Sequence, residues 1–140
     1  MTKNKVLFIG SIINLIIALG HLACLGCLQK TFQIYGIANV MNGLTETYGA
    51  SFPYIITCVV ALCFLVCGIY GLSACGIIRK LPLLKLGIFV IAAVFLFRAI
   101  SGIFILANSF AYIELSSTLV ALLVGLLYLY GGIQAFSKSK

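Results

Sequence analysis

With 140 residues, 64% of them hydrophobic and only 8% charged, the chain is far poorer in charge than an ordinary soluble domain, which is about a quarter charged. A mean hydropathy of +1.26 and a length that allows one domain at most point to lipid as the solvent, because the apolar residues fall in long continuous runs without a soluble helix's amphipathic stripe. The net charge of +7 does not indicate nucleic acid, since the nine basic residues form no cluster on a water-exposed face.

In chain order, four runs reach the ~20 residues that a helix needs to cross the hydrocarbon: Val6 to Leu28, Phe52 to Ile78, Leu86 to Ala107 and Ser116 to Phe136. Arg98 is the one formal charge inside them. Lipid cannot satisfy exposed backbone groups, so each run is predicted helical, and a barrel would show alternating segments of about ten residues instead. The expectation is an all-α, four-transmembrane-helix antiparallel bundle forming a single membrane domain.

The first run follows Lys3 and Lys5, like a secretory leader, and Ala18-Leu19-Gly20 is a passable cleavage site. The apolar stretch continues past that point, which favours a retained span. The connection over 29–51 carries turn signals at Tyr35-Gly36 and Tyr48-Gly49, and Pro53 suits the first turn of the following helix. A partly ordered cap with a short helix around Ile37 to Thr47 is expected there. The short connection Arg79-Lys80-Leu81-Pro82-Leu83-Leu84-Lys85 makes the second and third spans antiparallel neighbours.

Orientation follows from the basic flanks. Lys3 and Lys5, then Arg79, Lys80 and Lys85, then Lys138 and Lys140 mark one side, while Glu46 and Glu114, the only acids, lie in the other connections with Lys30. Both termini are thus expected in the cytoplasm.

Helices in lipid meet through small residues. Cys63, Cys67, Gly71 and Cys75, with Gly68 beside them, form such a seam on the second span. Ser117, Ala121 and Gly125 form one on the fourth, and Gly10, Asn14 and Ala18 one on the first. Tyr54, Tyr128 and Tyr130 suit interfacial belts.

Arg near a bilayer centre costs about 2.5 to 3.5 kcal/mol on insertion scales, so Arg98 needs compensation. It lies roughly 14 Å below the outer end of its predicted helix, and His21 roughly 10 Å below the end of the first. Asn14 shares the His21 face at i−7, and Ser101 and Gly102 lie beside Arg98. One outward-facing polar pocket is expected, with Arg98 as cation, Glu114 as counter-ion, and His21 and Asn14 as hydrogen-bonding walls. The competing reading makes Arg98 a tie between helices.

Cys24-Leu25-Gly26-Cys27, with Cys58 at similar depth, resembles the thiols of membrane oxidases that pass electrons to a quinone. A redox CxxC works best at a helix N-terminus, where the dipole lowers the thiol pKa, and this pair ends a helix; packing or a structural disulfide are the alternatives. One His and membrane-buried thiols do not make a zinc site, and phosphate loops, nucleophile elbows and paired acids are missing from the sequence.

Tyr70-Gly71-Leu72-Ser73-Ala74-Cys75-Gly76, then Leu81-Pro82-Leu83-Leu84 and Phe97-Arg98-Ala99-Ile100, with His21-Leu22-Ala23 earlier, resemble a group of small bacterial four-helix membrane proteins, and loosely the wider DoxX-like class. The resemblance implies a bacterial inner membrane and singles out His21, Tyr70, Ser73 and Arg98, without implying an activity.

The functional expectation is a non-enzymatic protein, without cofactor, whose pocket binds a small anionic or lipid-headgroup ligand or a partner helix. A small transporter or accessory subunit of a membrane complex is the alternative, and a thiol–quinone redox protein the third. Membrane lipids and a homodimer or larger complex are the expected partners, not nucleic acid.

Overall fold

The computed structural model describes residues 4–137; Lys3, Lys138 and Lys140 of the predicted charge asymmetry lie outside the described residues. Six α-helices follow one another: α1 (Lys5–Cys24), α2 (Leu28–Ile34), α3 (Ala38–Tyr48), α4 (Phe52–Ala74), α5 (Leu84–Asn108) and α6 (Tyr112–Ser137). A 3₁₀ turn, Leu25–Cys27, joins α1 to α2. No strand occurs among the described residues.

Four helical stretches are long and apolar enough to span a membrane: Lys5–Ile34, Phe52–Ala74, Leu84–Asn108 and Tyr112–Ser137. Only 22% to 33% of the most apolar part of each is buried within the protein, so the rest needs lipid to cover it. The chain is therefore an integral, multi-pass membrane protein.

The ends of the spans differ from the expected ones for local reasons. The first run continues beyond Leu28 because Gln29 to Ile34 contain no Gly or Pro; the backbone bends only at Cys27, whose φ is −144° and ψ 36°. Gly36, at φ +69°, then stops α2 in a Schellman turn, its amide donating to Gln33 O and that of Ile37 to Phe32 O. The second span ends at Ala74, short of Ile78, because Gly76 at φ +74° repeats the device, with Gly76 N donating to Ser73 O and Ile77 N to Leu72 O. Leu83 enters α5 at φ +53°, a left-handed conformation that costs a non-glycine residue about 1 kcal/mol. The short helix expected in the 29–51 connection is α3.

The chain falls into two compact units. Among the described residues the first comprises 4–14 and 67–137, and so holds pieces of all four spans. Asn4 caps α1 there: its Oδ1 accepts from the amides of Val6 (3.1 Å) and Leu7 (3.2 Å), and its Nδ2 donates to Gly131 O at 2.8 Å. α5 and α6 run antiparallel, with Gly102 facing Thr118, Gly125 facing Leu96 and Gly132 facing Ile88. Gly131 leaves room for Leu7 of α1, and Gly10 for Tyr128.

Tyr128 is the hub of this four-helix packing. It is 0% exposed, and its hydroxyl donates to Cys67 O at 2.7 Å and accepts from Asn14 Nδ2 at 3.1 Å. The interfacial position expected of Tyr128 is thus corrected: its ring fits the core because Gly10 and Gly71 have no side chain to oppose it, and its hydroxyl finds partners there. Tyr130, two residues on, points away and is 58% exposed.

The second unit, Leu15–Val66, holds the end of α1, the 3₁₀ turn, α2, α3 and the start of α4. Ala18, Leu28, Phe32 and Ala61 are its buried apolar residues, and His21 lies against Phe64 with ring centroids 5.3 Å apart.

A Cβ on Gly71 would collide with Ser11 Oγ and lie 2.7 Å from the Tyr128 hydroxyl. Gly71→Ala is expected to lower stability by about 1 to 3 kcal/mol, as overpacking of a tight core does. Gly43→Ala, where a Cβ meets nothing, should be neutral or better. Thermal unfolding in detergent compares the two.

Candidate functional site

Three polar places concentrate the side chains capable of chemistry. The first joins α5 to α6. Arg98 Nη2 donates to Glu114 Oε1 at 2.9 Å and to Ser117 Oγ at 2.8 Å, and Thr118 Oγ1 donates to the same carboxylate oxygen at 3.5 Å. Glu114 stands in the first turn of α6, where the helix dipole favours a carboxylate. Arg98 Nη1 is buried and has no hydrogen-bond partner among the described residues; a Cβ on Gly102 would lie 2.9 Å from it. Ser101 is not part of the cluster, because its hydroxyl donates back to Phe97 O at 2.9 Å. Ser117 and Thr118 take the place expected of it. Their signal in the sequence is their spacing of three and four residues from Glu114, which puts all three on one helix face.

The second place is the Tyr128 network. Asn14 lies in it, wholly buried, donating to Gly10 O at 3.2 Å as well as to Tyr128, with Oδ1 unpartnered among the described residues. Ser11 donates to Leu7 O at 2.6 Å. Of the residues singled out by resemblance, Tyr70 and Ser73 fasten the connection after α4. Tyr70 OH donates to Pro82 O at 3.4 Å, while Ser73 Oγ donates to Arg79 O at 2.9 Å and accepts from Leu81 N at 3.0 Å.

The third place is a cavity of about 470 Å³ in the second unit, within the roughly 300 to 1,000 Å³ usual for small-molecule sites. α1 gives it Ile17, Gly20, His21 and Cys24, and α4 gives it Ile56, Thr57 and Val60. Phe32 of α2 and Met41 of α3 complete its apolar wall, with Thr31 and Tyr35 beside them. His21 Nδ1 is 2.8 Å from Ile17 O; a carbonyl only accepts, so Nδ1 carries the proton, and in the neutral imidazole Nε2 is then an acceptor. Of the residues expected to share a pocket, His21 lines this cavity, whereas Arg98, Glu114 and Asn14 belong to the first unit.

All six cysteines carry free thiols. Cys24 lines the cavity; Cys27 does not, and its Sγ lies 3.7 Å from Thr31 Oγ1. Cys58 and Cys63 are exposed on α4. Among the described residues no group of three or more His, Cys, Asp or Glu is placed to hold a metal ion. Compared with known proteins, the chain matches no family model, no curated protein and no solved structure.

Two predictions follow from these contacts. In a double-mutant cycle, Arg98→Met and Glu114→Gln each lower stability, and the double variant loses less than the two together, with a coupling of roughly 1 kcal/mol. Full additivity in chemical unfolding would mean that the pair contributes nothing. The second concerns Cys75, just past α4, which is buried and donates to Asn4 O at 3.3 Å. Burial pushes its thiol up from 9.0 to about 11. Since the folded value lies above the unfolded one, the stabilisation is complete below pH 9.0 and is lost as pH rises through about 11. A variant with Cys75 as its only thiol should react with maleimide at pH 8 about a hundredfold more slowly folded than in SDS, following the thiolate fraction.

Proposed function

We propose that the protein is a non-enzymatic binding protein of the membrane that holds a small, largely apolar ligand in the cavity of its second unit, with His21 as the polar anchor. The observation that carries this reading is the convergence on one 470 Å³ space of apolar side chains from four helices around a single imidazole whose Nε2 accepts no proton from the protein. Such a lining, mostly apolar with few oriented polar groups, is what small-ligand sites present.

Arg98 enters the proposal as a clamp between α5 and α6. Its Nη2 already donates to Ser117 and to Glu114, whose carboxylate balances the guanidinium charge, so little of that charge is left for an anionic ligand. The basic flanks support a topology with both termini cytoplasmic and the α3 connection outside, from where a ligand enters. Membership of the small bacterial four-helix group, with its inner-membrane location, belongs to the same proposal and adds no activity.

A short alkyl diazirine tests the cavity without knowledge of the natural ligand. After photolysis in nanodiscs, label should concentrate on Phe32, Met41 and Val60 above the general level on lipid-facing Val94 and Phe97, and Gly20→Leu should remove that excess. A Cβ on Gly20 meets nothing, so the larger side chain fills space without disturbing the backbone. Label spread evenly over the apolar surface would overturn the reading.

A further inference from the structure

Resting on that reading, the hydrogen-bond inventory of the cavity narrows the ligand. Of its polar side chains, three have already spent their protons on the protein. His21 Nδ1 gives its proton to Ile17 O (2.8 Å), Thr57 Oγ1 to Pro53 O (2.8 Å) and Thr31 Oγ1 to Cys27 O (3.2 Å). Each is a bond to the carbonyl four residues earlier on the same side of the chain, the usual way for a side chain to satisfy itself in a dry helix. With the imidazole neutral, what these groups still offer is lone pairs: Nε2 of His21 and the two threonine oxygens.

Against these acceptors stand few donors. Among the described residues the Tyr35 hydroxyl is the one strong donor left on the lining, and Cys24 supplies only a weak S–H. No Lys or Arg among the described residues lines the space. A carboxylate or phosphate placed here would lose its hydration and find neither a cation nor a set of N–H groups, which is prohibitive in an apolar cavity. A purely acceptor molecule, such as an ether or an ester, would leave Nε2 without a partner. A molecule with a hydroxyl satisfies that nitrogen at once.

We infer that the cavity selects a neutral amphiphile whose polar end is a hydrogen-bond donor, an alcohol or a phenol, held by its proton on His21 Nε2 with its hydrocarbon body against Ile17, Phe32, Met41 and Val60. Head groups bearing negative charge are rejected. The selection therefore runs opposite to that of a cationic pocket: the imidazole recognises the ligand as a base.

The test uses the full chain in phosphatidylcholine nanodiscs and three probes of similar reach: 4-hexylphenol, 4-hexylanisole, in which a methyl group replaces the phenolic proton, and octyl phosphate. Amounts are expressed as mole fraction in the bilayer, so that partitioning cancels. His21 is the only histidine, which makes ¹⁵N-histidine labelling a single-site reporter. The phenol is expected to shift the Nε2 resonance saturably and to protect the cavity from the alkyl diazirine at about one tenth of the anisole concentration, the size of one hydrogen bond to an otherwise unpaired group. Octyl phosphate should neither shift the resonance nor protect. In His21→Phe the preference for the phenol should vanish while protection by both aryl probes persists, and His21→Gln, which keeps an acceptor, should restore part of it.

Equal protection by phenol and anisole in the unaltered protein overturns the selection for a donor, yet leaves cavity binding standing. Stronger protection by octyl phosphate overturns it in favour of an anion site. If neither aryl probe protects and the diazirine itself finds no cavity, the binding function fails and this inference with it.

Discussion

Hydrocarbon offers no hydrogen bonds, so the polar atoms of a span look for partners inside the protein, and that requirement organises this structure at each scale, with only Asn14 Oδ1 and Arg98 Nη1 buried and unpartnered among the side chains of the described residues. Within single helices it turns side chains back on their own backbone, as Ser11 does to Leu7 O, Thr57 to Pro53 O, Ser101 to Phe97 O and His21 to Ile17 O. Between helices it makes polar pairs into fasteners. Asn14 reaches Tyr128, Tyr128 reaches Cys67 O, and Arg98 reaches Glu114.

Such fasteners work only where backbones come close. The Tyr128 ring occupies the centre of the first unit because Gly10 and Gly71 leave space around it, and Gly131 and Gly132 of the following turn do the same for Leu7 and Ile88. In lipid no hydrophobic force drives helices together, since the tails are as apolar as Leu, and close packing at small residues supplies the attraction instead. Small residues and buried polar groups are thus two halves of one device. Removing the glycine separates the partners; removing the partner strands a polar atom.

The same physics decides what could be read from the sequence. Four spans and their helical character were legible because a run of some twenty apolar residues has only one backbone solution in a bilayer. The seams at Gly10, Gly71 and Gly125 were legible as small-residue spacing, and Glu114 as a counter-ion for Arg98 because acids are so scarce in the chain. The role of Tyr128 was not legible. A tyrosine near a span's end has the same composition signal whether its hydroxyl meets headgroups or Cys67 O, and only the rotation of α6 separates the two. The stop of α4 was visible only as Gly76 inside an apolar stretch, where a left-handed glycine ends the helix while the hydropathy runs on to Ile78. Nor could the sequence reveal the cavity, since it arises from side chains of α1, α2, α3 and α4 that no spacing rule brings together.

The guanidinium and the imidazole have unlike surroundings. Arg98, the costliest residue to place in a membrane, donates through Nη2 to the Glu114 carboxylate and the Ser117 hydroxyl, and Thr118 donates to the same carboxylate. His21 has room beside it, apolar walls, and an Nε2 that, in the neutral imidazole, is an acceptor. An unfilled valence alone does not mark a site, since Arg98 Nη1 also lacks a partner among the described residues; what distinguishes His21 is the open volume beside it. On the function proposed above, recognition would fall to the imidazole and cohesion to the guanidinium, although in sequence the charged residue is the more conspicuous of the two.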